Sequence, residues 1–144
     1  MTEDDLDWLG GLPLQQRVSL GGASVHLMHA APTEPLSKRL HLLMAPEATL
    51  EAELAEIEAD VLFVGHTRVP GLRKVGETII VNPGSLGQPR HGTPRGTYAV
   101  WLDGKLSIRH LRCDFRITQR KLARLPLDPE LIHEMQTILE RVGL

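Results

Sequence analysis

The chain has 144 residues, 42% of them hydrophobic, which is the length of one domain with enough apolar side chain to bury a sizeable core. Sixteen Lys and Arg against eighteen Asp and Glu leave a net charge of −2, which argues against a protein built mainly to neutralise nucleic-acid phosphates or an anionic membrane surface. The single cysteine, Cys113, cannot close an intrachain disulfide, the start Met-Thr-Glu-Asp-Asp is acidic where a signal sequence is basic, and no apolar run approaches the ~20 residues that span a bilayer, so a soluble cytoplasmic protein is expected.

No repeat or low-complexity tract divides the sequence, and residues 1–144 read as a single domain. A short acidic helix at about 2–9 leads through Gly10-Gly11-Leu12-Pro13 to a strand near 15–20, a Gly21-Gly22 turn and a strand at 23–28, which together read as a hairpin. Residues 36–43 read as a short helix. A longer one follows Pro46 from Glu47 to Ala59, with Leu50, Leu54 and Ile57 on its apolar side and Glu51, Glu53, Glu56 and Glu58 facing water. Val61 to Val64 is a continuous apolar run ending at Gly65, the pattern of a strand covered on both faces, and Lys74 to Val81 reads as a further strand. Residues 83–96 form a loop rich in Gly and Pro whose length suggests binding. Strands at 97–102 and 105–111 flank Asp103-Gly104, a pair suited to a type I′ turn, with Leu106 and Ile108 toward the core. A final helix is capped by Asp128 ahead of Pro129, carries Leu131, Ile132, Met135, Ile138, Leu139 and Val142 as one stripe, and stops at Gly143.

Two histidines close strands. His29 ends Val25-His26-Leu27-Met28-His29 and His66 follows Val61 to Gly65, with a helical crossover between them. Parallel neighbours would bring both imidazoles to one sheet edge, where open α/β sheets bind ligands, and a metal is the chemistry two such nitrogens suggest. A histidine at a strand end is more often a hydrogen-bonded surface residue than a ligand, and the pair by itself does not decide between the two.

The words around these histidines are more specific. Val-Leu-Phe-Val-Gly-His-Thr-Arg at 61–68 and Ile-Val-Asn-Pro-Gly-Ser-Leu-Gly-Gln-Pro-Arg at 80–90 resemble the late motifs of the calcineurin-like metallophosphoesterases, most closely the small bacterial and archaeal phosphodiesterase branch. In that family a strand runs into a His, usually His-Gly, and a later one into Gly-His-Thr-His, followed by a hairpin and an Asn-Pro-Gly-Ser turn. Here these read His29-Ala30, Gly65-His66-Thr67-Arg68 and Asn82-Pro83-Gly84-Ser85, in order across about 15–111. The resemblance implies an α/β fold in which this chain supplies the later part of a two-sheet sandwich flanked by helices, with an antiparallel hairpin.

It also implies a chemistry. Family members use two divalent ions that share a hydroxide for in-line attack on phosphorus, so a phosphate ester is the implied substrate, nucleic acid being one such ester. His29 and His66 correspond to ligands of one ion, Asn82 lies near the phosphate, and Arg90 and His91 follow on the same loop, with Arg95 a further cation there. Manganese or zinc is the implied metal, with iron, magnesium and nickel open. Arg68 stands where the family's second His would bind the first ion, and a guanidinium stays protonated and cannot coordinate. The early Asp-x-His, Gly-Asp and Gly-Asn-His-Asp/Glu motifs do not occur, and neither Asp60 nor Glu34 matches a family ligand. The chain is therefore expected to be the later part of such a domain, and whether Met1 is the true start or an internal methionine stays open. Its uncovered sheet should then recruit a second copy or another chain. A non-catalytic interaction module with the same fold is the alternative. The Asn-Pro-Gly-Ser turn also has a purely conformational reason, and His26, His41, His110 and His133 read as structural or surface residues.

Overall fold

The computed structural model describes residues 1–93 and 95–140. Helix α1 (Glu3–Gly10) is started by Thr2, whose hydroxyl accepts from Asp5 N while Asp5 accepts from Thr2 N. Strands β1 (Gln15–Leu20) and β2 (Ala23–Met28) form the expected antiparallel hairpin. Helix α2 (Glu47–Leu54) then crosses to β3 (Val61–Phe63), which pairs parallel with β2. Strands β4 (Gly71–Val75) and β5 (Thr78–Asn82) complete a five-stranded sheet in the order β1-β2-β3-β5-β4, with β5 parallel to β3. Strands β6 (Arg95–Leu102) and β7 (Lys105–Arg112) make a second, two-stranded sheet whose turn residues Asp103 and Gly104 take φ of 49° and 73°, as a type I′ turn requires. Helices α3 (Phe115–Leu122) and α4 (Pro129–Glu140) pack on each other, and Asp128 caps α4 by accepting from Glu130 N. The architecture is the expected mixed α/β arrangement of two sheets with flanking helices.

Alternation along the central strands builds two cores from one sheet. Val25, Val61 and Val81 face the β6–β7 sheet and meet Ala99, Trp101, Leu106 and Ile108. Leu62 and Ile80 point the other way, to Leu50 of α2 and to Ala31, Leu40 and Leu42 of the long connection after β2. Burial on both faces is why these strands read as continuous apolar runs.

Four local expectations are corrected. Residues 36–43 are turns and irregular chain, because tertiary partners take the backbone groups a helix would use: Ala31 N donates to Lys38 O, and the Arg73 guanidinium donates to the carbonyls of Leu42 and Ala45. Helix α2 ends at Leu54 rather than Ala59, since Ser24 and Asp60 tie the following segment to β2 through Ser24 N to Asp60 Oδ2 at 2.7 Å and Asp60 N to Ser24 O at 2.9 Å. The stretch 74–81 is two strands, not one, turned at Gly76 with φ 55° and Glu77. Glu53 does not face water; it is 3% exposed and ion-paired. Helix α3, capped by Asp114, was not among the expected elements. Val142 and Gly143, assigned above to the last helix and its stop, lie outside the described residues. No described helix is long and apolar enough to cross a membrane.

Candidate metal centre and its basic rim

The parallel pairing of β2 with β3 carries the chain to His29 and His66 at the same edge of the sheet. Gly65 N donates to His29 O at 2.8 Å, fixing the two strand ends together, and His29 Nε2 lies 3.0 Å from His66 Nδ1. The rings meet edge to face, with centroids 5.0 Å apart and planes at 71°. One of the two facing nitrogens carries the hydrogen of this bond; which one is set by the tautomers.

His66 and Arg68 both take a φ of 61°, the left-handed region that non-glycine residues seldom occupy. The tight segment is held from below by Asn82, which is fully buried. Its Nδ2 donates to Gly65 O and to Thr67 Oγ1, each at 2.9 Å, and its Oδ1 accepts from Gly84 N at 2.9 Å. The Asn-Pro-Gly-Ser turn is thereby locked to the histidine loop. Gly84 has φ 81°, and a Cβ there would collide with the Thr97 hydroxyl at 1.9 Å.

Burial disfavours the charged form of His66, and the neighbours His29, Arg39 and Arg68 push its pKa further down. The neutral imidazole is the form that can donate a lone pair. The Arg39 and Arg68 guanidiniums also oppose a bound metal unless anions join it. In the tautomers that move both ring hydrogens to the far nitrogens this hydrogen bond is absent, and two lone pairs 3.0 Å apart would suit adjacent positions around one ion with bonds of about 2.0–2.1 Å. Among the described residues no group of three or more His, Cys, Asp and Glu could hold a metal. The residues thus fit two ligands of a single ion and do not fit a self-sufficient two-metal centre.

The other expected site residues separate. Arg90 is tied to the centre by its N–H, which donates to Arg68 O at 3.2 Å. His91 instead turns to Thr93 and stacks at a tilt on His110, with centroids 5.7 Å apart. Burial, then His110, lowers its pKa. Asn82 sits beneath the loop as its support. Arg39 and His41 join the basic rim and were not among the expected site residues; together with Thr67, Val69 and Arg90 they line a cavity of about 150 Å³. Two basic positions flanking Leu40 were the available signal.

The sequence profile described as "Calcineurin-like phosphoesterase superfamily domain" matches residues 2–103. A probable metallophosphoesterase of Mycoplasma genitalium is 33% identical over 94 residues, covering 64% of this chain and 53% of the relative. An uncharacterized protein of Methanocaldococcus jannaschii is 25% identical over 151 residues, covering 93% and 59%. The chain therefore spans somewhat over half the length of these curated relatives. In fold it is similar to the crystal structure of a metallophosphoesterase from Sphaerobacter thermophilus, with a TM-score of 0.76 at 22% identity over 99% of this chain and 62% of that one. A hypothetical protein from Pyrococcus horikoshii gives a TM-score of 0.78 at 22% identity, covering 90% and 52%.

Proposed function

The chain belongs to the calcineurin-like phosphoesterase superfamily, and on that premise we propose that its histidine pair serves the hydrolysis of phosphate esters, as the part of a metallophosphoesterase centre that holds one divalent ion and the phosphoryl group. The observation that carries this reading is the placement of two imidazoles, 3.0 Å apart on adjacent parallel strands, beside a rim of arginines. An ion held there would act as a Lewis acid on a phosphoryl oxygen or a bound water. The nitrogen ligands suit zinc, iron or nickel, whereas manganese, like magnesium, prefers oxygen and would lean on the carboxylates a fuller centre supplies.

The remaining work falls to residues of this chain. Arg39, Arg68 and Arg90 offset the charge of the ester, and guanidinium forks suit phosphate oxygens geometrically. Asn82 holds the loop that carries His66. Attack by a hydroxide shared between two ions requires carboxylate ligands beyond the described residues, which a longer polypeptide or a partner chain would provide. A cytoplasmic setting accords with the free Cys113.

The test is thermal unfolding with manganese or zinc for the wild type, His29→Ala and His66→Ala, run beside hydrolysis of bis(p-nitrophenyl) phosphate. Ligands that bind only the native state raise its melting temperature, by about 2.7 kcal/mol of stability at a hundredfold excess over Kd. The reading expects a metal-dependent rise that both variants lose. A melt indifferent to metal in all three proteins would sink it and leave the non-catalytic interaction module.

A further inference from the structure

The 150 Å³ cavity beside His66 is built for an oxyanion. Arg39, Arg90 and His41 line it. Thr67, 4% exposed, brings a hydroxyl whose oxygen already accepts from Asn82 Nδ2 at 2.9 Å and Val69 N at 3.4 Å, so its hydrogen is left to donate. No carboxylate lines this cavity, and neither Arg39 nor Arg90 enters an ion pair among the described residues. Two arginines and a hydroxyl with a free hydrogen around a space of this size, with no carboxylate among them, suit a tetrahedral anion such as a phosphoryl group.

Arg39 and His41 also line a second cavity of about 410 Å³, whose further walls include Leu40, Met44 and Ala45. Met44 is 84% exposed and Leu43 67%, so the segment presents apolar side chains to solvent next to a cluster of cations. An apolar surface fused to an anion site is complementary to a molecule with one charged and one apolar end.

We propose that the two cavities form one subsite for a phosphate ester of an apolar alcohol, its phosphoryl group between Arg39 and Arg90 beside His66 and its alcohol along Leu40 and Met44. The proposal rests on the phosphate-ester reading above for the identity of the oxyanion. Arg39 and His41, exposed on the shared wall, are its specificity-determining residues, and the metal ligands are not needed for the anion to bind.

The experiment is calorimetric titration in EDTA with inorganic phosphate, glycerol 2-phosphate and phenyl phosphate. Wild type should bind all three, phenyl phosphate roughly tenfold tighter than glycerol 2-phosphate because its ring leaves water. Arg39→Gln should weaken all three about tenfold or more. Met44→Gln, at an exposed position that leaves the fold intact, should abolish the preference for phenyl phosphate while keeping the affinity for inorganic phosphate. Failure of wild type to bind phosphate, or equal binding by Arg39→Gln, would overturn the anion site. Equal affinities for the phenyl and glycerol esters would overturn the apolar half. Because EDTA removes divalent ions, this result and the metal-dependent melt are read independently, and either can fail without the other.

Discussion

The Lys38 ammonium lies 2.6 Å from a carboxylate oxygen of Glu53, a side chain only 2% exposed. Thr33 completes the arrangement, its N–H and hydroxyl each donating to the same carboxylate at 3.0 Å. Helix α2 thereby pins the connection that runs from His29 to Arg39, so the ion pair positions these two side chains together.

Removing either partner of this pair is predicted to have unequal effects. Lys38→Met leaves a buried carboxylate with only the Thr33 donors and should cost about 3–5 kcal/mol. Glu53→Gln leaves no buried charge, since the Lys38 side chain is 41% exposed and its ammonium can turn to water, and should cost about 1–2 kcal/mol. Urea denaturation of both variants checks the ordering; equal losses would mean that the buried charge is not what Lys38 compensates.

The same pair sets an acid limit. Burial pushes the Glu53 carboxyl up, but the hydrogen bonds from Lys38 and Thr33 outweigh it and hold the group below its ordinary value. A depressed carboxyl contributes stability that is present above the unfolded pKa and is lost as pH falls through the folded one. Unfolding free energy should therefore decline below the ordinary carboxylate range more steeply in wild type than in Glu53→Gln. Parallel acid limbs would remove Glu53 from the account.

Local patterns made the histidine pair legible and tertiary ones hid its surroundings. His29 and His66 each end an apolar run, and the helix between them implies a crossover to a parallel neighbour, so their meeting followed from residues adjacent in sequence. Arg39 and His41 lie in a segment whose apolar spacing imitates a helix but whose carbonyls are claimed by Arg73, more than thirty residues away in one case. Glu53 looks like its exposed neighbours Glu51 and Glu56 until Lys38 and Thr33 arrive from the preceding connection. The β4–β5 turn is hidden in the sequence because the residues on both sides of Gly76 and Glu77 continue a strand-like pattern.

Asn82 spends both its donors and its acceptor inside the protein, so its replacement should act on the loop as a unit. Asn82→Ala leaves Gly65 O and Gly84 N without these partners at a fully buried position and should cost about 2–4 kcal/mol. Asn82→Asp keeps an acceptor for Gly84 N but turns an anion toward Gly65 O, and should not rescue. Thermal melts with and without metal decide this: an Asp variant as stable as wild type would show that the amide donors are dispensable.

Gly65 is constrained by the residue it faces. A Cβ there would stand 3.1 Å from His29 O, the same oxygen that accepts from Gly65 N. Gly65→Ala should fold with a loss of about 1–2 kcal/mol and part the strand ends by a few tenths of an ångström. The imidazoles move with those ends, so metal affinity should fall by roughly tenfold or more. Unchanged affinity, measured by titrating zinc, would show that the strand ends do not set the histidine spacing.

His26 stands opposite Arg17 on the β1–β2 ladder, 2% exposed, and its Nδ1 is buried without a hydrogen-bond partner. The adjoining cavity also brings Glu53 and Glu56 from the α2 side. Burial, then the charge of Arg17, lowers the pKa, so the folded protein holds this ring neutral at pH values where an unfolded chain protonates it. Stability present above the ordinary imidazole value is then lost as pH falls toward the folded value. His26→Leu deletes the unpaired nitrogen without breaking any hydrogen bond recorded among the described residues, so at pH 7.5 it should be neutral or stabilising by about 1 kcal/mol. At pH 5.5 the advantage of the variant should widen, because wild type alone pays for keeping this ring unprotonated; the depressed imidazoles of His66 and His91 are common to both proteins and cancel. Urea midpoints at the two pH values make the measurement, and a constant difference between the proteins would mean that His26 titrates alike in the folded and unfolded chains.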